Sequence, residues 1–522
     1  MLLNRYFRIL LLIFFVSTAQ IQAQDGSCTL DSLVTNVEIS QLTQVNSADG
    51  VFLIFDAILD SSSLAETYSF DIGTNVRYRL TVLDEFTLHP QERTFSPDGN
   101  YMVFLASGFG DLRPQLYSVA LPDGAPHRLS IDLPEEALNP DRPQLRSTPE
   151  PIIRYFITPD SRYVLYTITY ELTGVQHIYR VPIAGGESID MTPSFSAPAY
   201  GAVLLPTTTV FTSDNNHFIF LYFDQIGRPS IFSLDLSTWD VREFIATSFN
   251  YPGAPLVDSL LQHPDYDLIY TNSTGGLTYQ QMFAYDFDQD EHYELTLPLP
   301  SNIQYINNVI FDESQSPTTI AYYIVTTNDN DRQLYAPTGN GQLEYIRSLP
   351  STTDLIPQGI ILNAMSADRI HADFSFIPYA DPLQTIDLAF GNWHLDYGAG
   401  WSFVNDYMLS GVYDSEDPEQ RRELVRIDLS VTGNGAIQSI TPMLSTTSPG
   451  VSGKLLLDAD NTLYFVFDQQ LYRSAYPYDS YELLTTIHVD RLHSILPDGR
   501  LLLLSNNMDG TQNLVLIQCE VR

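Results

Sequence analysis

Cysteine, lysine and charge are all scarce in this chain, and each scarcity removes a class of function. Two cysteines stand in 522 residues, Cys28 and Cys519. There is accordingly no C-x-x-C pair and no thiolate cluster, and no H-E-x-x-H or close histidine pair supplies a zinc site instead. Lys454 is the one lysine, and the formal net charge is -38. A surface that acidic repels phosphate backbones and anionic lipid headgroups, so nucleic acid is not expected as a partner and anionic membranes are disfavoured. Cations, basic proteins and neutral glycans are compatible with it. No apolar run reaches the ~20 residues that a membrane-spanning helix needs. No G-x-S-x-G nucleophile elbow occurs.

What is present describes a large folded chain. Hydrophobic residues make up 44% and aromatics 12%, enough for an extensive core and too much for disorder. The first 23 residues read as a cleaved signal peptide: Arg5 and Arg8 precede a short apolar core, Ile9–Val16, and Ile21-Gln22-Ala23 suits cleavage. The folded part is then 24–522, and it is expected to be secreted or periplasmic. In an oxidising compartment Cys28 and Cys519 are expected to pair, tying the first ordered segment to the last. Two separate buried thiols are the alternative.

Three signatures recur in fixed order. The first is a tight turn between apolar runs, as in Phe95-Ser96-Pro97-Asp98-Gly99, Ile157-Thr158-Pro159-Asp160 and Leu496-Pro497-Asp498-Gly499. Proline presets φ for the first corner and glycine accepts a left-handed conformation. The run after it, Tyr101-Met102-Val103-Phe104, is apolar on both faces, as a strand between two layers must be. The second signature is polar–aliphatic–aromatic: Gln115-Leu116-Tyr117, His177-Ile178-Tyr179, Ser230-Ile231-Phe232, Gln333-Leu334-Tyr335 and Gln470-Leu471-Tyr472. Weaker forms lie at 66–68, 281–283, 423–425 and 513–515, with a tenth at Gln384-Thr385-Ile386-Asp387. The third is a strand ending in Leu-Thr or Leu-Ser, at Leu80, Leu129, Leu295 and Leu484.

Four antiparallel strands repeating about every 50 residues is the pattern of a β-propeller blade. The fold class is therefore all-β, a single ring of 8–10 blades. Two smaller propellers dividing near 300 are the alternative. The last unit lacks a closing strand, and Glu38–Thr43 ends in an orphan Leu-Thr. That segment is expected to pair with the C-terminal blade and close the ring, removing two sheet edges.

The turn, aromatic strand, L-Y strand and closing R-L-[ST], clearest over 94–192 and 492–517, resemble the WD-type repeats of TolB-like propeller proteins. They are also similar to the propeller of dipeptidyl-peptidase-type enzymes. Neither family's catalytic or partner-binding residues can be carried over. A rigid ring with a loop-bearing face and no convergent nucleophile, base or metal set is expected to act as a monomeric scaffold that meets a protein or glycan on that face. Arg113 and Arg228 share an Arg-Pro position in that face's loops and are the ligand-binding candidates. Asp286, Asp288 and Asp290 alternate in a turn and are the candidate Ca2+ ligands, although the glycine and the twelfth-position acid of a calcium loop are missing. The function expected is non-catalytic binding. The alternative is a glycan-directed hydrolase or lyase using carboxylates in the central funnel.

Overall fold

The computed structural model describes residues 28–519, apart from 59–65, 81–92, 108–113, 132–153, 170–175, 193–200, 204–208, 224–228, 246–254, 264–265, 275–279, 288–290, 298, 313–318, 330, 339–341, 350–351, 357–358, 366–371, 379–385, 388–392, 396–400, 405–406, 415–421, 429–439, 447–450, 477, 479–480, 486–487 and 507–510. The proposed signal peptide lies outside the described residues. The described residues contain strands and turns and no helix.

Seven separate four- or five-stranded sheets are joined by one eleven-stranded sheet. The latter resolves into three four-stranded units, because the 20-residue strand Cys28–Ser47 serves two of them. Seven plus three gives ten sheets among the described residues. In chain order, sheet 1 spans 38–79, sheet 2 93–128, sheet 3 154–190, sheet 4 201–245 and sheet 5 255–294. Sheet 6 spans 303–349, sheet 7 352–387, sheet 8 393–446 and sheet 9 451–485; sheet 10 combines 491–519 with 28–37.

The recurring signatures each have a structural job. In the turn, the Ser96 hydroxyl donates to Asp98 Oδ1 at 2.5 Å, and that carboxylate also accepts from the Asn100 amide. Thr158–Asp160 and Thr212–Asp214 repeat the arrangement at 2.6 and 2.5 Å. The next residue is left-handed in every copy: Gly99 (φ 72°), Ser161 (60°), Asn215 (61°) and Gly499 (83°). At Gly99 the requirement is double, since an added Cβ would also collide with the Asn46 carbonyl of sheet 1.

The aromatic residues form cross-strand pairs between the second and third strands. Phe55 lies opposite Tyr68, Phe104 opposite Tyr117, Tyr166 opposite Tyr179 and Phe465 opposite Tyr472, with stacked centroids 5.9, 5.8, 5.3 and 5.5 Å apart. The closing Leu-Ser caps the third strand: the Leu129 amide donates to the Leu116 carbonyl at 2.8 Å, while Ser130 Oγ accepts from the Leu116 amide at 3.1 Å. Thr192 and Thr296 repeat this cap on Ile178 and Met282.

Where a sheet packs between two others, its second strand is apolar on both faces. Met102 and Phe104 face sheet 1, and Val103 faces sheet 3. Comparable clusters join sheets 3 and 4, 4 and 5, 5 and 6, 8 and 9, 9 and 10, and 10 and 1. Polar groups stitch the same junctions. Tyr166 accepts from the Ile131 amide at 3.2 Å and donates to Ser188, which in turn donates to the Leu129 carbonyl.

The chain ends meet as expected, with one correction. Cys28 lies in register with Cys519 and is bonded to it, and the ladder continues to Val37–Gln512. The strand that completes sheet 10 is therefore 28–37 and not Glu38–Thr43. The latter segment belongs to sheet 1, where Glu38–Ser47 pairs with Gly50–Ile58. The short turn at 48–49 brings those two strands together at small entropic cost, so the local hairpin outcompetes the distant partner. A bulge between Ser40 and Thr43 marks the handover. There His493 Nε2 lies 3.0 Å from the Leu42 carbonyl, and Arg93 donates to the Gln41 carbonyl. Arg93 also donates to Asp56 at 2.9 Å, both side chains being over 90% buried, and Thr67 donates to the same carboxylate oxygen at 2.8 Å. A second correction concerns the tenth repeat copy: Ile386–Asp387 is the fourth strand of sheet 7, whose third strand is Ala372–Pro378.

Two outcomes follow. Replacing both cysteines by serine keeps the β-sheet circular-dichroism signature, because the ladder and its clusters remain. It lowers stability by up to about 4–5 kcal/mol, the chain-entropy value for so long a loop, measured by denaturant unfolding. Asp56→Asn, which strands a buried guanidinium, costs roughly 3–5 kcal/mol, whereas Asp56→Leu with Arg93→Met costs less.

Candidate functional site

Antiparallel order sends the connections of each sheet to opposite ends. Hairpins between first and second strands, and between third and fourth, emerge at one end, the turn face. Connections between second and third strands, and the links from sheet to sheet, emerge at the other, the loop face. Arg113 and Arg228 lie outside the described residues. The residues that follow them, Pro114 and Pro229, open the third strands of sheets 2 and 4 and pair with Ser107 and Phe223. Pro114 and Pro229 thus begin equivalent strands at the loop end.

The acidic turn after sheet 5's third strand sits on the turn face. Asp286 is in register with Glu291, while Asp288 and Asp290 lie outside the described residues. Phe287, between Asp286 and Asp288, stacks on His217 of sheet 4 with centroids 4.4 Å apart and meets Tyr285 edge-on at 4.8 Å. The described part of this turn therefore contributes an aromatic plug between sheets 4 and 5. Among the described residues no three His, Cys, Asp or Glu side chains converge as metal ligands.

The turn-face carboxylates have a common electrostatic character. Burial pushes the carboxyls of Asp98, Asp214 and Asp498 upward. Hydrogen bonds from Ser96 and Asn100, from Thr212 and Asn216, and from Arg500 outweigh it and hold them below the usual carboxylate range. Asp235 follows the same balance, through Ser237 and Thr238. These acids are ionised and committed to their own turns.

One cluster on this face was not apparent from the sequence. Arg180, in the third strand of sheet 3, lies over the Trp239 ring at 4.1 Å and over the Tyr163 ring at 5.2 Å. Arg162 lies over Tyr163 at 5.6 Å, and Tyr163 meets Trp239 edge-on at 4.8 Å. Trp239 belongs to the last turn of sheet 4 and has φ 65°, a conformation that a bulky side chain rarely adopts. The residues are scattered in sequence, which hid them. A signal did exist: Asp235-Leu236-Ser237-Thr238-Trp239 repeats Asp71-Ile72-Gly73-Thr74-Asn75, with tryptophan where the first copy has asparagine (φ 59°).

No family model matches the chain, and no curated protein matches it. Solved structures do. Oligogalacturonate lyase from Vibrio parahaemolyticus is 12% identical over 66% of this chain and 92% of its own, with a TM-score of 0.33. TolB from Acinetobacter baumannii is 13% identical over 67% and 77%, at 0.26. Dipeptidyl peptidase 4 from Porphyromonas gingivalis is 8% identical over 85% and 66%, at 0.42. The resemblance to TolB-like and dipeptidyl-peptidase-type propellers thus has its counterpart among solved structures. At these values it carries no activity, substrate or partner to this chain.

The depressed turn carboxyls set a pH dependence. Their carboxyls titrate below the ordinary aspartate value of 3.8, so their contribution to stability is complete above that pH and is lost as pH falls through the lower folded values. The thermal midpoint should fall steeply below about pH 4. The slope should be shallower in Asp98→Asn/Asp214→Asn/Asp235→Asn/Asp498→Asn, as read by calorimetry at a series of pH values.

Proposed function

We propose that the chain is an exported, non-catalytic β-propeller whose ten sheets close into one ring and present a partner-binding loop face. The observation that supports the scaffold reading is geometric: the described turn aspartates Asp98, Asp160, Asp214 and Asp235 are spent as hydrogen-bond acceptors within their own turns, which fixes a rigid repeated frame. A single ring is supported by the bonded ends and by the cluster that joins Met282 and Leu295 to Ile303 and Tyr323, across the point where two propellers would divide. Export is supported by the Cys28–Cys519 disulfide, which persists in oxidising compartments, together with the signal-like segment 1–23. A protein or glycan would meet the loop face, with Arg113 and Arg228 offering carboxylate-binding donors there, and the chain would act as a monomer.

The mature chain, immobilised and exposed to envelope extract, should retain a specific protein. That retention should weaken in Arg113→Gln/Arg228→Gln. A glycan array and an acidic-polysaccharide cleavage assay run alongside. Turnover of a glycan would replace this reading with the enzymatic one.

A further inference from the structure

We propose that the turn face carries a second site, formed by Arg162, Tyr163, Arg180 and Trp239, that takes the carboxylates of an acidic peptide segment on a partner protein. The site lies at the junction of sheets 3 and 4, at the opposite end of the strands from Pro114 and Pro229.

The first observation is an imbalance of charge. In a chain with 63 acids and 25 bases, an arginine has carboxylates at hand almost everywhere. Yet among the described residues neither the Arg162 nor the Arg180 guanidinium makes an ion pair or donates a hydrogen bond. Asp160 and Asp235 each turn an oxygen to their own turns instead. Asp160 Oδ1 accepts from the Thr158 hydroxyl at 2.6 Å and the Arg162 amide at 3.1 Å. Asp235 Oδ1 accepts from Ser237 and Thr238.

The second observation is how the cations are held. A guanidinium stacked on a ring keeps its in-plane N–H donors for a further partner, and the ring fixes its orientation beforehand. Arg180 has two such rings and shares Tyr163 with Arg162. The third is strain. Trp239 keeps a left-handed backbone where asparagine suffices in sheet 1, and the tryptophan adds a ring that packs on the core between sheets 3 and 4 and at the same time carries Arg180. Non-glycine residues in that region are strained, and they concentrate where a site is being shaped.

The ligand class follows from the same geometry. The guanidiniums already lie over the Trp239 and Tyr163 rings, and this favours carboxylates on a flexible chain over a sugar that must stack on an aromatic face. The overall negative field disfavours dense polyphosphate and favours a few carboxylates delivered locally. Arginine clusters read acidic motifs in this way, by charge-assisted and bidentate hydrogen bonds.

The test is a calorimetric titration of the intact mature chain with acetyl-tetra-aspartyl-amide, using acetyl-tetra-seryl-amide and digalacturonate as comparison arms. The expected result is saturable binding of the aspartyl peptide that weakens with salt. It should fall at least about tenfold in Arg162→Gln/Arg180→Gln, and by a smaller factor in Trp239→Asn, which keeps the turn but removes the shelf. Arg162→Gln alone, at an exposed position, serves if the double variant does not fold. Undiminished affinity in the arginine variants, no saturable binding, or tighter binding of digalacturonate than of the peptide would each overturn the proposal. Envelope capture through the loop face is read separately in Arg113→Gln/Arg228→Gln, so either site can fail without the other.

Discussion

The architecture depends on one antiparallel ladder, formed between residues 28–37 and 512–519. Without it sheet 10 lacks its fourth strand and exposes an unpaired edge, the liability that long β-proteins must suppress. Sheet 1 does not need that contact for its own pairing, since its hairpin is local. The ladder therefore acts on the assembly of sheets and not on any one of them. The same continuous strand then crosses into sheet 1, so the last and first sheets share a covalent backbone. Arg93 and His493 hold the crossing from either side through the carbonyls of Gln41 and Leu42.

Around that seam the chain repeats a small set of devices. A Ser/Thr–Asp turn fixes the first hairpin, an aromatic pair fixes the register of the second and third strands, and a Leu-Ser/Thr step caps the third. The turn and the cap also satisfy backbone groups that would otherwise be buried without partners. The acidity of the chain is partly explained by this use. The aspartates of the turns are acceptors for their own backbones, and they are held ionised by that service.

Much of this was legible in the sequence because it is local and repeated. Nine of the ten polar–aliphatic–aromatic copies fall on third strands, and the stretch from Tyr101 to Phe104 is apolar on both faces because sheets pack on both sides of it. The tenth copy marked a real sheet but the wrong strand, since Ile386–Asp387 lacks the aromatic that fixes position. The role of Glu38–Thr43 was misassigned because a Leu-Thr ending says nothing about which of two neighbours a long strand will join. The Arg180–Trp239 cluster was illegible for a different reason. Its members come from two sheets, and only the packing of a turn of sheet 4 against a strand of sheet 3 brings them together. The alternation of Asp286, Asp288 and Asp290 is visible in the sequence, whereas the stacking of Phe287 on His217 of the neighbouring sheet is not.

The placement of Cys28 opposite Cys519 has a consequence for biogenesis. The two cysteines are 491 positions apart, so the strand that finishes sheet 10 is made first and must wait for nearly all the rest. Sheets 2 to 9 can form in turn as the chain emerges, each from residues close in sequence. Residues 28–37 meanwhile carry buried-type side chains, Leu30, Leu33, Val34 and Val37, with nothing to cover them. Contacts of such long range are slow to form. The final docking would then be the step most exposed to misassembly between neighbouring nascent chains, and a holdase chaperone would find its binding segment there.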